Sequence, residues 1–217
     1  MDNTLSELVF ILDMSGSMSK LTDDTIGGYN SLLNEQRDQK GKANITTVLF
    51  DHRYIILHSG VDIQYVEDIT ENEYKPRGMT AMLDAVGMTI SIIDQKIANM
   101  PEDKRPGNVV VTIITDGHEN ASREYDWSTV QSMIEKQRTH HDWIFNFIGA
   151  NIDTKKVGNK LGIDPRFARE YTHNKEGTDS VYKSVSNSVA YSRNSAMYDE
   201  DIELRQENMA KKLDEIE

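Results

Sequence analysis

Unbroken apolar runs alternate along this chain with stretches whose apolar residues recur every three or four positions. Leu8 to Leu12 carries no polar residue and reads as a buried strand, as do Asn108 to Thr115 and Trp143 to Gly149. Asn44 to Phe50 and Tyr54 to Val61 are β-type runs joined by Asp51-His52-Arg53, a pattern that predicts an antiparallel hairpin. Arg169 to Thr172 is a candidate last edge strand. Between these runs the period changes. Ile26, Tyr29, Leu32 and Leu33 share one helical face behind Thr22-Asp23-Asp24, which offers an N-cap and an acidic first turn. Met82, Ala85, Val86, Ile90, Ile93 and Ile97 keep helical spacing within Thr80 to Met100. Further helices are expected over Asp126 to Thr139, Thr154 to Leu161 and about Glu176 to Arg193, the second of them stopped by Gly162. Asp62 to Arg77 is polar and irregular, and reads as a loop.

Strands that alternate with helices imply a mostly parallel sheet covered on both faces. The expected class is α/β, a Rossmann-like three-layer αβα architecture of about six strands with one antiparallel edge strand. The 217 residues suffice for one such domain, over residues 1–195, with a short acidic tail or helix over 196–217. In the tail, Ile202, Met209, Leu213 and Ile216 form one thin apolar stripe. That stripe suits a marginal helix that docks on its own domain or on a partner, or a segment disordered in isolation.

Composition narrows the function classes. A net charge of −12 argues against a nucleic-acid backbone as the main partner, and its ordinary role is solubility. The absence of cysteine excludes disulfides and thiolate metal sites and favours a cytoplasmic protein. No uninterrupted apolar run approaches the ~18 residues of a membrane span, and the polar, acidic start is unlike a secretory leader.

The chemistry gathers at element boundaries. The first strand runs into Asp13-Met14-Ser15-Gly16-Ser17, which places one carboxylate and two hydroxyls in a loop at a strand's carboxyl end, where open α/β sheets hold ligands. Such oxygens suit hard divalent cations, Mg²⁺ above all, and Gly16 lets the loop turn tightly. A second strand ends in Thr115-Asp116-Gly117, and Gly78-Met79-Thr80 opens a helix with a hydroxyl at its start. Each feature alone is an ordinary turn or cap. Together, Asp13, Ser15, Ser17, Thr80 and Asp116 supply five oxygen-bearing side chains at one rim of the sheet.

Phe10 to Met18, Gly78 to Ala85 and Ile114 to Asn120 resemble the motifs of the von Willebrand factor A (integrin I-type) family, over about residues 7 to 193. Many relatives have Gly-Gly-Thr where this chain has Gly78-Met79-Thr80; the change removes no ligand. Phe147-Ile148-Gly149-Ala150-Asn151 and Lys160-Leu161-Gly162-Ile163 resemble the bacterial and phage intracellular branch. The resemblance implies a metal-ion-dependent adhesion site. Ser15 and Ser17 would coordinate directly, Thr80 directly or through water, and Asp13 and Asp116 largely through water or by orienting the hydroxyls. It further implies a Mg²⁺-dependent protein-binding module (Mn²⁺ or Ca²⁺ being alternatives) whose incompletely neutralised cation takes an Asp or Glu of a protein partner, and no enzyme.

Other functions are compatible with the same residues. A metal with open coordination is chemically able to hydrolyse phosphate esters, but no general base stands out and no phosphate-binding Gly-rich loop with Lys is present. A structural or assembly protein could keep the metal as a stabilising feature alone. Asp84, one turn after Thr80, either supports the loop or serves the helix dipole. His118 and Glu119 read as loop polar groups, His140-His141 as a solvated helix end, and Trp127 and Trp143 as packing residues. A tail acid such as Glu215 or Glu217 reaching the metal of a neighbouring molecule is a further candidate.

Overall fold

The computed structural model describes residues 1–214; Glu215, Ile216 and Glu217 lie outside the described residues, and with them the tail-acid candidates and the end of the apolar stripe. Six strands, β1 (Asp2–Asp13), β2 (Lys42–Phe50), β3 (Tyr54–Asp62), β4 (Pro106–Thr115), β5 (Ile144–Gly149) and β6 (Ala168–Glu170), form one sheet in the order β3-β2-β1-β4-β5-β6. Every neighbouring pair is parallel except β2 and β3, the hairpin read from the sequence. Six α-helices flank it: α1 (Thr22–Arg37), α2 (Met82–Ala98), α3 (Trp127–His141), α4 (Thr154–Lys160), α5 (Lys175–Met197) and α6 (Ile202–Leu213). On one face α1 and α5 pack together, α5 resting on β1 and β4; on the other, α2 lies over β1 and β2 and α3 over β5. This is the three-layer α/β class expected. Among the described residues no helix is long and apolar enough to cross a membrane.

The central strands show why the order is stable. Leu8 to Leu12 on β1 and Val109, Val110, Val111, Ile113 and Ile114 on β4 are all buried, because a strand with parallel neighbours on both sides and helices over both faces has no wet side. β1 begins earlier than the apolar pattern suggests: Asn3 and Thr4 are exposed, but Ser6 and Glu7, the polar residues next to the run, find partners inside. Ser6 Oγ accepts from Asn108 Nδ2 (3.1 Å), and the buried Glu7 carboxylate accepts from Thr46 Oγ1 (2.8 Å) and Lys96 Nζ (3.3 Å).

Two helix starts also differ. Thr22 does not cap α1: a 3₁₀ turn over Gly16–Leu21 feeds straight into the helix, and Thr22 Oγ1 donates back to Ser19 O. α2 starts at Met82, not Thr80: Ala81 has a non-helical backbone (φ −99°, ψ 61°), and the amides of Thr80 and Ala81 find partners outside the helix, on Asn120 Oδ1 (3.0 Å) and Asp51 O (2.9 Å). β1 and β4 hold the position on which a ligand site depends. The chain leaves β1 toward β2 on one side and leaves β4 toward β5 on the other, so a crevice opens between their carboxyl ends.

Candidate metal centre

Leu12 faces Ile114 across the β1–β4 ladder, so Asp13 and Thr115 emerge side by side. Thr115 Oγ1 donates to Asp13 Oδ2 (2.6 Å), and Ser15 N donates to Asp13 Oδ1 (2.7 Å). The carboxylate thus fixes its own loop and ties it to β4. One step outward, Ser17 Oγ donates to Asp116 Oδ1 (2.5 Å) and lies 3.1 Å from Ser15 Oγ. Two of the three motifs therefore meet through side-chain hydrogen bonds.

The third is carried in by the segment before α2. Arg77 N donates to Met14 O (2.9 Å), Gly16 N to Gly78 O (3.2 Å) and Tyr74 Oη to Asp13 O (2.6 Å), which laces this segment along the Asp13 loop. Gly78, at φ +72°, makes the turn that a side chain would resist, and His52 packs against the space where its Cβ would stand. Thr80 O then accepts from Asn120 N (3.0 Å) and Ala121 N (3.2 Å). Thr80 is held from both sides, and it is 3% exposed.

Gly117 measures the convergence. A methyl group on its Cα would stand 2.9 Å from Thr80 Oγ1 and 3.6 Å from both Asp13 Oδ2 and Ser17 Oγ. Three oxygens from two loops, the Asp13–Ser17 loop and the Thr80 segment, thus border one small space that only a residue without Cβ in the third loop leaves free. Among the described residues no three His, Cys, Asp or Glu side chains gather into a metal cluster, so any cation here depends on the hydroxyls as much as on the carboxylates. The donor set fits a hard divalent ion. Electrostatics agree. Burial pushes the Asp13 carboxyl up to about 6, against hydrogen bonds from Thr115 and Ser15 that lower it, and the neighbouring Asp116 charge adds to the rise. Two buried carboxylates this close favour a cation between or beside them.

The remaining candidates sort themselves by their partners. Asp84 accepts from the amides of Arg123, Glu124 and Tyr125 (2.8, 2.9 and 2.9 Å), so it supports the loop after Asp116. Glu119 accepts from Leu83 N, Ala121 N, Ser122 N and Ser122 Oγ, satisfying the start of α2 instead of facing the site. His118, His140 and His141 are all exposed and not buried in the centre. Trp143 is buried and stacks on Phe145, while Trp127 carries Lys160 Nζ 3.7 Å above its ring. Three site residues escaped the sequence reading: Thr115, Gly117 and His173, whose Nε2 lies 2.9 Å from Asp116 Oδ2. The position of Thr115 and Gly117 beside Asp116 was the available signal; His173 gave none, being remote in sequence.

No protein-family model and no curated protein matches the chain by sequence. Solved structures match its fold. A von Willebrand factor type A structure from Catenulispora acidiphila aligns with TM-score 0.52 and 13% identity over 96% of this chain and 42% of that one. The manganese-loaded TRAP protein of Plasmodium vivax aligns with TM-score 0.59 and 20% identity over 83% and 72%. Proximal thread matrix protein 1 of the mussel byssus, with a zinc-occupied MIDAS motif, gives 0.59 and 14% over 87% and 47%. The chain spans less than half the length of the first and third of these. The fold is that of von Willebrand factor A domains.

Proposed function

We propose that this chain is a metal-dependent protein-binding module, in which Asp13, Ser15, Ser17, Thr80 and Asp116 hold a divalent cation, Mg²⁺ in the first place, for an Asp or Glu side chain of a partner protein. The observation that carries this reading is the space beside Gly117 bordered by Thr80, Asp13 and Ser17. A cation bound there supplies an electrophilic coordination position open to an outside carboxylate. The chain's own contribution is to keep that position incompletely neutralised: Ser15, Ser17 and Thr80 are neutral, and Asp13 and Asp116 are occupied by Thr115, Ser15 and Ser17. Neighbours of the same fold, one loaded with manganese and one with a zinc-occupied MIDAS motif, support a divalent ion.

A binding role suits the surroundings better than hydrolysis. Asp84 and Glu119, the carboxylates that flank the loops, are spent on backbone amides and so are poorly placed to serve as general bases. A cleft of about 350 Å³ opens beside Thr80, lined in part by His52, Arg53, Met79 and Arg123, and gives a partner a second foothold. Met79 is 52% exposed there.

The test is calorimetry with Mg²⁺ and Mn²⁺ on the wild type and Asp116→Ala, followed by titration of Asp- and Glu-containing peptides with and without EDTA. Metal binding lost in the variant, with peptide binding only in the metal-loaded wild type, is the expected result. Metal-dependent turnover of a phosphate ester abolished by Asp13→Ala would replace the reading with a hydrolase. Metal-raised melting with no peptide affinity would leave the ion a structural part.

A further inference from the structure

His173 lies between β6 and α5, far from the motifs in sequence, yet its ring reaches the site. Nε2 is 2.9 Å from Asp116 Oδ2, and both atoms are buried. Neither makes an aligned hydrogen bond, to the other or to anything else. Asp116 Oδ1, by contrast, is engaged by Ser17 Oγ at 2.5 Å. The carboxylate therefore has one oxygen committed to the serine loop and one facing an imidazole that a small rotation would align. Buried polar atoms are ordinarily paired, and these two stand within reach of each other.

We infer that His173 is a positioning residue of the metal centre: with a cation seated, its Nε2–H donates to Asp116 Oδ2 and locks the carboxylate with Oδ1 toward Ser17. The inference rests on the proposed metal-binding role of Asp116. Carboxylates that serve a metal are themselves hydrogen-bonded, and loss of such an outer partner typically weakens metal affinity by about 10–100-fold. The position of His173 in the chain adds a second consequence. The next residue, Asn174, caps α5 by accepting from Gly177 N (2.8 Å), and Tyr171 N, two residues before His173, is fixed on Gly149 O (3.0 Å). The imidazole is held on a short, doubly anchored segment, so it presents a firm donor. Through it the start of α5 becomes part of the metal centre, a fourth loop beside the three that supply oxygens.

The experiment compares Mn²⁺ affinity at fixed pH for the wild type, His173→Leu and His173→Gln, alongside metal-free melting in EDTA. His173→Leu is expected to bind about tenfold or more weakly, and His173→Gln, whose amide can still donate, to recover most of the loss, while metal-free melting stays unchanged. Nitrogen-15 spectra of the wild-type histidines should show one ring locking into the Nε2–H form on addition of Mg²⁺, a change absent in His173→Gln. Equal Mn²⁺ affinity in all three proteins overturns the inference and leaves the metal reading intact. Nitrogen coupling to bound Mn²⁺ by pulsed electron paramagnetic resonance would overturn it too, making His173 a direct ligand. No Mn²⁺ binding by the wild type would bring down the metal reading itself.

Discussion

Gly117 shows how much one absent side chain decides. Its neighbours stand where any Cβ would intrude on Thr80 Oγ1, while the residue has no unusual backbone demand that alanine would violate. Gly117→Ala should therefore fold with melting close to wild type in EDTA, yet lose at least about tenfold in Mn²⁺ affinity by calorimetry, ~1.4 kcal/mol or more. At this scale the sequence displayed the oxygen-bearing side chains, because each stands at the end of a strand or the start of a helix. It hid what depends on neighbours across the sheet. Thr115 matters because β1 and β4 are in a register that sets it against Asp13, and His173 because β6 ends near Asp116. Neither adjacency leaves a trace in local spacing.

Among the elements, the β2–β3 turn does more than reverse the chain. Asp51, fully buried, accepts from Arg53 N (2.6 Å) and from Arg53 Nε and Nη2 (3.0 and 2.6 Å), while its carbonyl holds Ala81 N beside Thr80. Burial alone would raise the Asp51 carboxyl, but hydrogen bonds and charge from Arg53 hold it below its ordinary value. A lowered carboxyl contributes stability that is present above the unfolded-state value and lost as pH falls through the folded one. Asp51→Asn should cost about 2 kcal/mol at pH 7. The gap to wild type should narrow below about pH 4, a trend that denaturant melts at several pH values will read. The hairpin itself was legible from its alternation and turn. The true start of α2 was not, since Ala81 takes a non-helical backbone in a segment that Thr80 and Ala81 tie to two distant parts of the chain.

At the scale of the whole molecule, α5 is the least obvious piece. Its sequence is rich in serine, yet Ser184, Ser186, Ser188, Ser192 and Ser195 are buried between α1, the sheet and α6, where small side chains allow close approach. Arg193 is buried with them, its guanidinium donating to Gln36 O, Lys40 O and Gly41 O at the end of α1. α6 then lies along α5, with Ser188 Oγ donating to Met209 O (3.1 Å) and Met209 and Leu213 wholly buried. Leu213→Ala should accordingly destabilise the protein by about 2–4 kcal/mol in equilibrium unfolding, without changing metal affinity. A thin stripe of apolar residues was all the sequence offered here, and a stripe does not say what it meets.

The order of the strands has one last consequence, for biosynthesis. Of the six strands β1 is made before the others, but its second neighbour, β4, follows about a hundred residues later, and the loop that carries His173 comes later still. At about 5–20 residues per second, a ribosome needs roughly 10–35 seconds to deliver the strands and loops that meet at Asp13. A nascent chain can form the hairpin early, but it can bring the five proposed metal-holding residues together only after β4 and Asp116 have been made.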